Sequence, residues 1–347
     1  MIIFMVIFLS FCSSSSFANL LHQLRGHHLV GHSSKVIEDH SRLESHLTDS
    51  NQNRQLLVDI WYPIDFEGNS PRRRFPLQEW KNLVELPKFI TAYLDTFELA
   101  SFESTSIQSN AEGWPVVLFS HGISAGMFEY QAYCEEVASN GFIVLGINHS
   151  YAARIVEFPD GKLIKNRIED WGDLPREKRV ELRNIEQEVW LEDTRFVLQT
   201  FFNEGLNHHL LITANTKKIF AVGHSFGGST AIQALRFIPA IKAAINLDGV
   251  LAGREAYDVL KKPALMILAS NGHEKLNQEI KELMHKSDQD GHVIVINGAI
   301  HDSFSDRGLV LAPSWTLSWV NWWQGEREDP EKIFENTINA ALSFLRE

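Results

Sequence analysis

The sequence predicts an α/β fold whose mostly parallel central sheet is covered by helices on both faces. Three observations carry this. Short runs such as "PVVLFS" (Pro115 to Ser120), "GFIVLGIN" (Gly141 to Asn148) and "PALMILA" are apolar throughout, as strands buried on both faces are. Segments with helical apolar spacing alternate with these runs, which makes βαβ crossovers the economical connection. At 44% hydrophobic and 22% charged, 347 residues can bury one large core, and no repeat or low-complexity linker divides the chain after Ala18.

"LLVDIWYP" alternates as a strand and ends at Pro63, after a polar, histidine-containing lead segment expected to be solvated. "EWKNLVELPKFITAYLDTFEL" has helical spacing interrupted at Pro87 and reads as a surface helix pair. The strand at Pro115 leads through His121 and Gly122 to a helix with Tyr130, Tyr133, Cys134 and Val137, where the cysteine suits a small buried site. An insertion over about 150–205 follows the second apolar run. It holds a hairpin turning at Pro159-Asp160-Gly161 and a long helix over 177–203, with Leu182, Ile185, Val189, Phe196 and Phe201 as its apolar face. "KIFAVG" enters a glycine-flanked serine and the helix "GGSTAIQALRF". "KAAINLD", "PALMILA" and "HVIVING" then supply three further strands, and Phe334, Ile338, Ala341 and Leu345 mark the inner face of a closing helix.

The amino terminus differs from the rest. "MIIFMVIFLSFC" has the length of a signal-peptide apolar region, too short to span a bilayer, and "SSSSFA" offers Ser16 and Ala18 for cleavage after Ala18. The expectation is an exported chain, 1–18 a signal peptide and 19–347 one domain, although no Lys or Arg precedes the apolar run. Lipidation at Cys12 is disfavoured by Phe11 before it, and cleavage would leave Cys134 without a disulfide partner. A net charge of −12 argues against nucleic acid, which is held by neutralising its phosphates, and "PRRRF" reads as a short solvated loop.

The chemistry centres on Gly223-His224-Ser225-Phe226-Gly227, a G-x-S-x-G motif between a predicted strand and a predicted helix. A nucleophilic serine in so tight a turn needs small residues on both sides, hence Gly223 and Gly227. The Phe226 amide then lies at the positive start of the helix. A serine needs a base, and in α/β-hydrolases the order along the chain is serine, acid, histidine. His301, in the loop after "HVIVING", has that place; His208, His209, His224, His273 and His292 do not. Two acids end suitable strands, Asp248 in "AAINLDGV" and Glu274 in "ILASNGHE". A second oxyanion donor is expected after the strand "VVLFS", where Gly122 lets the Ile123 amide turn toward the serine. No H-E-x-x-H, C-x-x-C, calcium loop or Walker loop is present, so no cofactor or metal is expected; "GHHLVGH" makes a poor metal site.

"LFSHGISAG", "SNGFIVLGINH", "VGHSFGGST", "INLDG" and "HDSFSD", taken in order, resemble the platelet-activating factor acetylhydrolase family, from "DIWYP" to the last helix. The resemblance implies Ser225 as nucleophile, Asp248 rather than Glu274 as acid, His301 as base, and Phe226 and Ile123 as backbone oxyanion donors. It also implies a calcium-independent hydrolase of short-acyl or phospholipid-type esters. The elbow is shared with lipases and cutinase-like polyesterases, which stand as the alternative reading, with a catalytically silent binding protein on the same fold as a third. "SWTLSWVNWWQG" places Trp315, Trp319 and Trp322 on one helical face, which reads as a lipid-facing helix or a core-packed one.

Overall fold

The computed structural model describes residues 19–47, 51–65, 70–83, 92, 94–103, 106–168, 174–203, 205–272, 274–289, 292–311 and 328–347. Thirteen strands run through these residues: β1 (Asn19–Leu20), β2 (Leu29–Leu43), β3 (Asn53–Ile64), β4 (Arg72–Arg74), β5 (Phe97–Glu103), β6 (Trp114–Ser120), β7 (Ile143–Asn148), β8 (Ile155–Glu157), β9 (Leu163–Lys165), β10 (Ala214–His224), β11 (Ile241–Leu247), β12 (Ala264–Ala269) and β13 (Val293–Ile296). The helices are α1 (Leu77–Leu83), α2 (Gln131–Ser139), α3 (Arg176–Phe202), α4 (His208–Thr213), α5 (Phe226–Phe237), α6 (Glu274–Lys286), α7 (Arg307–Leu311) and α8 (Pro330–Arg346).

The main sheet has the order β1-β5-β2-β3-β7-β6-β10-β11-β12-β13, with β4 on β5. From β7 to β13 every pairing is parallel. The apolar runs read from the sequence are these strands: β7 and β12 are buried at every position, because helices cover both faces. One core, with Trp61, Phe119 and Tyr133, lies under α2 and α8; the other, with Ile232, Leu235 and Leu198, lies under α3 and α5. Parallel register aligns the carboxyl ends of β6, β10 and β11, with Gly223 opposite both Ser120 and Asn246. The chain leaves β6 for β7 on one side and returns to β10 on the other, which opens a crevice at that edge.

Several elements depart from expectation. The lead segment is not a solvated arm: β2 is a 15-residue strand antiparallel to β3, and His32 on it is buried and bonded to Asp59 at 3.1 Å. Its alternation is hidden because polar residues fill many of its positions. The "PRRRF" stretch forms β4, and Arg73 is half-buried with Nη1 donating to Gln131 at 2.7 Å. The tail of the supposed second surface helix is instead β5. On α3 the expected apolar face holds in part: Phe201 is buried, but Ile185 is 56% exposed, while Glu186, Gln187, Trp190, Asp193 and Thr194 are buried. Charged residues take the inner face there because they meet charged partners, as described below. Phe334, Ile338, Ala341 and Leu345 of α8 are buried as read.

Candidate active site

Ser225 occupies the junction of β10 and α5 with φ 55 and ψ −120, a conformation that L side chains rarely adopt. Its neighbours must be small. A Cβ on Gly223 would lie 2.3 Å from the Gly227 carbonyl, and one on Gly227 would lie 2.1 Å from the Ser120 carbonyl oxygen. Asp248, Ser124 and Tyr151 share the left-handed backbone, with φ 53, 57 and 64. Strain of this kind, gathered at one sheet edge, marks a surface shaped for use rather than for stability.

Three side chains form one line. Ser225 Oγ lies 2.9 Å from His301 Nε2, and His301 Nδ1 lies 2.7 Å from Asp248 Oδ2. The other carboxylate oxygen of Asp248 accepts from the Ala269 amide at 2.9 Å, which fixes the carboxylate's orientation. Asp248 is buried while the His301 side chain is 47% exposed, so the line runs from the interior to an accessible serine. With Asp248 accepting from Nδ1–H, Nε2 is left to accept the serine proton. Asn246, overlooked in the sequence, clamps the turn carrying Asp248: its Oδ1 accepts from the Gly249 amide at 2.7 Å and its Nδ2 donates to the Gly249 carbonyl at 2.9 Å. Glu274 opens α6 and is not the carboxylate on His301 Nδ1.

Phe226 follows Ser225 at the start of α5 and Ile123 follows Gly122, which packs against Ser225, and neither amide has a backbone partner among the described residues. A turn begins at Gly122, whose carbonyl accepts from the Ala125 amide at 3.0 Å, and within it Ser124 carries the positive φ. Space also limits Gly122, since a Cβ there would sit 3.3 Å from Tyr130 Oη and 3.4 Å from Ser225 Cβ. Trp315, Trp319 and Trp322 lie outside the described residues.

A second set of bonds joins the two loops across the elbow. Gly122 N–H donates to Tyr130 Oη at 3.1 Å, Tyr130 Oη–H to His224 Nδ1 at 2.8 Å, and His224 Nε2–H to the His301 carbonyl at 2.9 Å. Every donor in this chain has an acceptor only if His224 is neutral. Burial, and then the neighbouring His301, hold its pKa well below the ordinary value. The His301 loop is tied a second time by Arg307, whose Nε donates to Glu129 at 2.5 Å. Tyr130 and His224 could be seen in the sequence but carried no signal there, because their partners are far away in the chain.

Behind the Ile123 loop lies a buried ionic cluster. Arg54 makes a two-pronged contact with Asp193, at 3.1 and 2.6 Å, and reaches Glu44 at 2.8 Å. His149 bonds Asp193 at 3.0 Å and Ser120 Oγ at 3.2 Å, stacks on Trp190 at 3.8 Å, and donates its amide to His121 Nε2 at 3.1 Å. Ser120, His149 and Asp193 thus repeat the residue types of the first line, but all three are buried, so no substrate reaches that serine. Burial lowers the pKa of His121 to about 3, with the nearby His149 adding to the shift.

His46, at the outer end of the cluster, behaves oppositely. Burial works against its charge, yet the hydrogen bonds to Glu186 and Glu44 lift its pKa to about 9. The folded state therefore binds this proton more tightly than the unfolded chain does. The associated stability, up to about 3 kcal/mol, is full below pH ~6.5 and is lost as pH rises through ~9. Urea denaturation of wild type across that window should show the decline, and His46→Gln should flatten it.

Sheet order, strained serine elbow and late histidine loop define an α/β-hydrolase. The model for platelet-activating factor acetylhydrolase, isoform II, matches residues 13–192 and 192–347, and the chain belongs to that family. Platelet-activating factor acetylhydrolase of Cavia porcellus is 29% identical over 261 residues, 68% of this chain and 57% of the relative. That of Bos taurus is 24% identical over 326 residues, 85% of this chain and 72% of the relative. The chain thus spans little more than half the length of the first of these. A ferulic acid esterase from Streptomyces cinnamoneus shares the fold, with TM-score 0.74 and 20% identity, over 95% of this chain and 92% of the esterase.

Proposed function

We propose that this chain is an exported serine hydrolase of short-acyl or phospholipid-type carboxylic esters. The observation that supports this most is the Ser225–His301–Asp248 line, with bonds of 2.9 and 2.7 Å and its serine end accessible. In this reading His301 Nε2 takes the Ser225 proton as Oγ attacks the ester carbonyl. The oxyanion is held by the Ile123 and Phe226 amides, each worth about 10²–10³ in rate in comparable sites. Collapse of the tetrahedral intermediate expels the alcohol with the proton from His301, and water then repeats the sequence on the acyl-enzyme. Each developing charge meets a protein group, so the reading expects full activity in excess EGTA; a rate that falls on chelation and returns with calcium would contradict it. Export over 1–18 and a lipid-facing role for Trp315, Trp319 and Trp322 belong to the same reading and rest on the sequence.

The test is hydrolysis of p-nitrophenyl esters from acetate to palmitate. A short-chain optimum supports the acetylhydrolase-like reading. The wide groove beside the site favours one alternative, a lipase or cutinase-like polyesterase, and a long-chain optimum would select it. A folded protein that turns over none of the esters would be a binding protein.

Tyr130→Phe tests the bridge between the loops. It removes the donor to His224 Nδ1 and the acceptor of the Gly122 amide while keeping the ring. The expected result is kcat lower by about 10-fold with KM little changed, as for the loss of an interaction that matters mainly in the transition state. Equal kinetics would show that the bridge does not position the oxyanion loop.

A further inference from the structure

An open groove of approximately 1460 Å³ begins at Ile123 and runs between the amino-terminal half of α3 and α6. Among the described residues its lining has five basic side chains, Arg154, Arg176, Arg179, Arg183 and Lys286, against two acidic ones, Glu279 and Glu282. The balance, five minus two, is +3 on a chain whose net charge is −12. Chance placement on so acidic a protein would favour the opposite sign.

Two of these arginines are also free of carboxylates among the described residues, whereas Arg72, Arg236 and Arg346, which likewise lack one, are held by carbonyl or amide oxygens. Arg25, Arg42, Arg54, Arg195, Arg254 and Arg307 are each joined to a carboxylate. Among the described residues Arg176 and Arg183 are exposed and have no such partner. Helix stability does not account for them. Arg176 stands in the first turn of α3, at the positive end of its dipole, where acidic side chains are the favoured ones, and Arg183 lies two turns further on. With Arg179 they follow helical spacing, so all three project along one wall.

The groove ends beside the serine elbow. Ile123 and Ile168, which line it, pack against Phe226, the residue after Ser225. Val180 and Val250, 47% and 38% exposed, add apolar surface next to the cations. A guanidinium binds phosphate or carboxylate through paired N–H groups, and an apolar strip beside it suits a hydrocarbon chain.

We propose that this groove is the subsite for an anionic group on the ester substrate, so that the enzyme selects anionic esters over neutral ones. The inference rests on the ester-hydrolase reading and deepens it by naming the substrate class. The anion is a phosphate on the alcohol side or a carboxylate at the far end of the acyl chain, and the two arms of the test separate these.

The first measurement compares kcat/KM for two matched pairs at low salt. One pair is p-nitrophenyl butyrate and mono-p-nitrophenyl glutarate; the other is an alkyl acetyl glycerol and its phosphate monoester. In Arg176→Gln/Arg183→Gln the anionic-to-neutral ratio should fall about 10-fold for the pair whose anion reaches the groove, the usual weight of a charge-assisted hydrogen bond. Arg176→Lys/Arg183→Lys should keep part of the preference, and added salt should erode it in the wild type. Ratios unchanged for both pairs would overturn the proposal.

The second measurement needs no turnover. Octyl phosphate, titrated calorimetrically into Ser225→Ala, should bind about 10-fold more weakly once both arginines are glutamine. Arginine-dependent binding in a protein that cleaves no ester would leave the groove standing and remove the ester-hydrolase reading. Ester turnover with no arginine dependence in either binding or selectivity would remove the groove and leave the hydrolase.

Discussion

Ser225→Ala is expected to lower kcat for its best ester by about 10⁴-fold or more, leaving the residual rate that oxyanion donors and binding provide. The hydroxyl bonds His301 Nε2 at 2.9 Å, so its removal deletes the attacking atom without unpairing a buried group. The backbone geometry at φ 55 is as strained for alanine as for serine, and the fold should survive the change. Thermal unfolding close to the wild-type temperature, measured on the same preparation, would show that activity and stability have separated. Much smaller losses would mean that another atom performs the attack. Asp248→Asn should cost nearly as much with the geometry kept, because its amide cannot hold His301 in the tautomer that receives the serine proton.

Asp193→Ala is expected to be the most destabilising single change. Asp193 is fully buried, accepts hydrogen bonds from Arg54 and His149, and pairs ionically with Arg42. Burial alone would raise its pKa; Arg54 and then His149 overcome this and hold it far below the usual carboxylate range. Without it the Arg54 guanidinium stays in the interior, sharing only Glu44 and the Ser150 carbonyl. Leaving a buried charge unpaired costs about 3–5 kcal/mol, enough to lower the midpoint of thermal unfolding by roughly 10 °C. Activity should fall as well, because His149 loses the carboxylate that orients it against Trp190 and the His121 side chain. Thermal and urea unfolding of the variant measure the first effect, and kcat below the new midpoint measures the second. A loss below about 1 kcal/mol would show that water reaches Arg54 in the folded state.

What the sequence made legible follows from range of interaction. The elbow is local: strand, glycine, serine, glycine and helix lie within a few residues, and steric need dictates each of them. The order of strands and loops then brought Ile123, Asp248 and His301 to the same edge. The choice between Asp248 and Glu274 was not legible from residues alone, since both end a strand at that edge. In the fold Asp248 is the carboxylate that meets His301 Nδ1. The inner face of α3 was misread because apolar spacing locates apolar burial only, whereas Asp193 and Glu186 are buried through charges on Arg54 and His46. β2 was missed for a related reason: polar residues such as His32 occupy inward positions and find partners there. The Tyr130–His224 bridge spans 94 residues, and nothing local announces it. Ser120, His149 and Asp193 give the complementary lesson, since the right residue types in the right order of contact make no active site when buried.

The most direct test is to treat the folded wild-type protein with a fluorophosphonate and locate the adduct by peptide mass spectrometry, beside Ser225→Ala and His301→Gln. A single adduct on Ser225, absent from the alanine variant and strongly slowed in the glutamine one, is the predicted result. No adduct, or one on another serine that persists in Ser225→Ala, would contradict the assignment of Ser225 as the nucleophile.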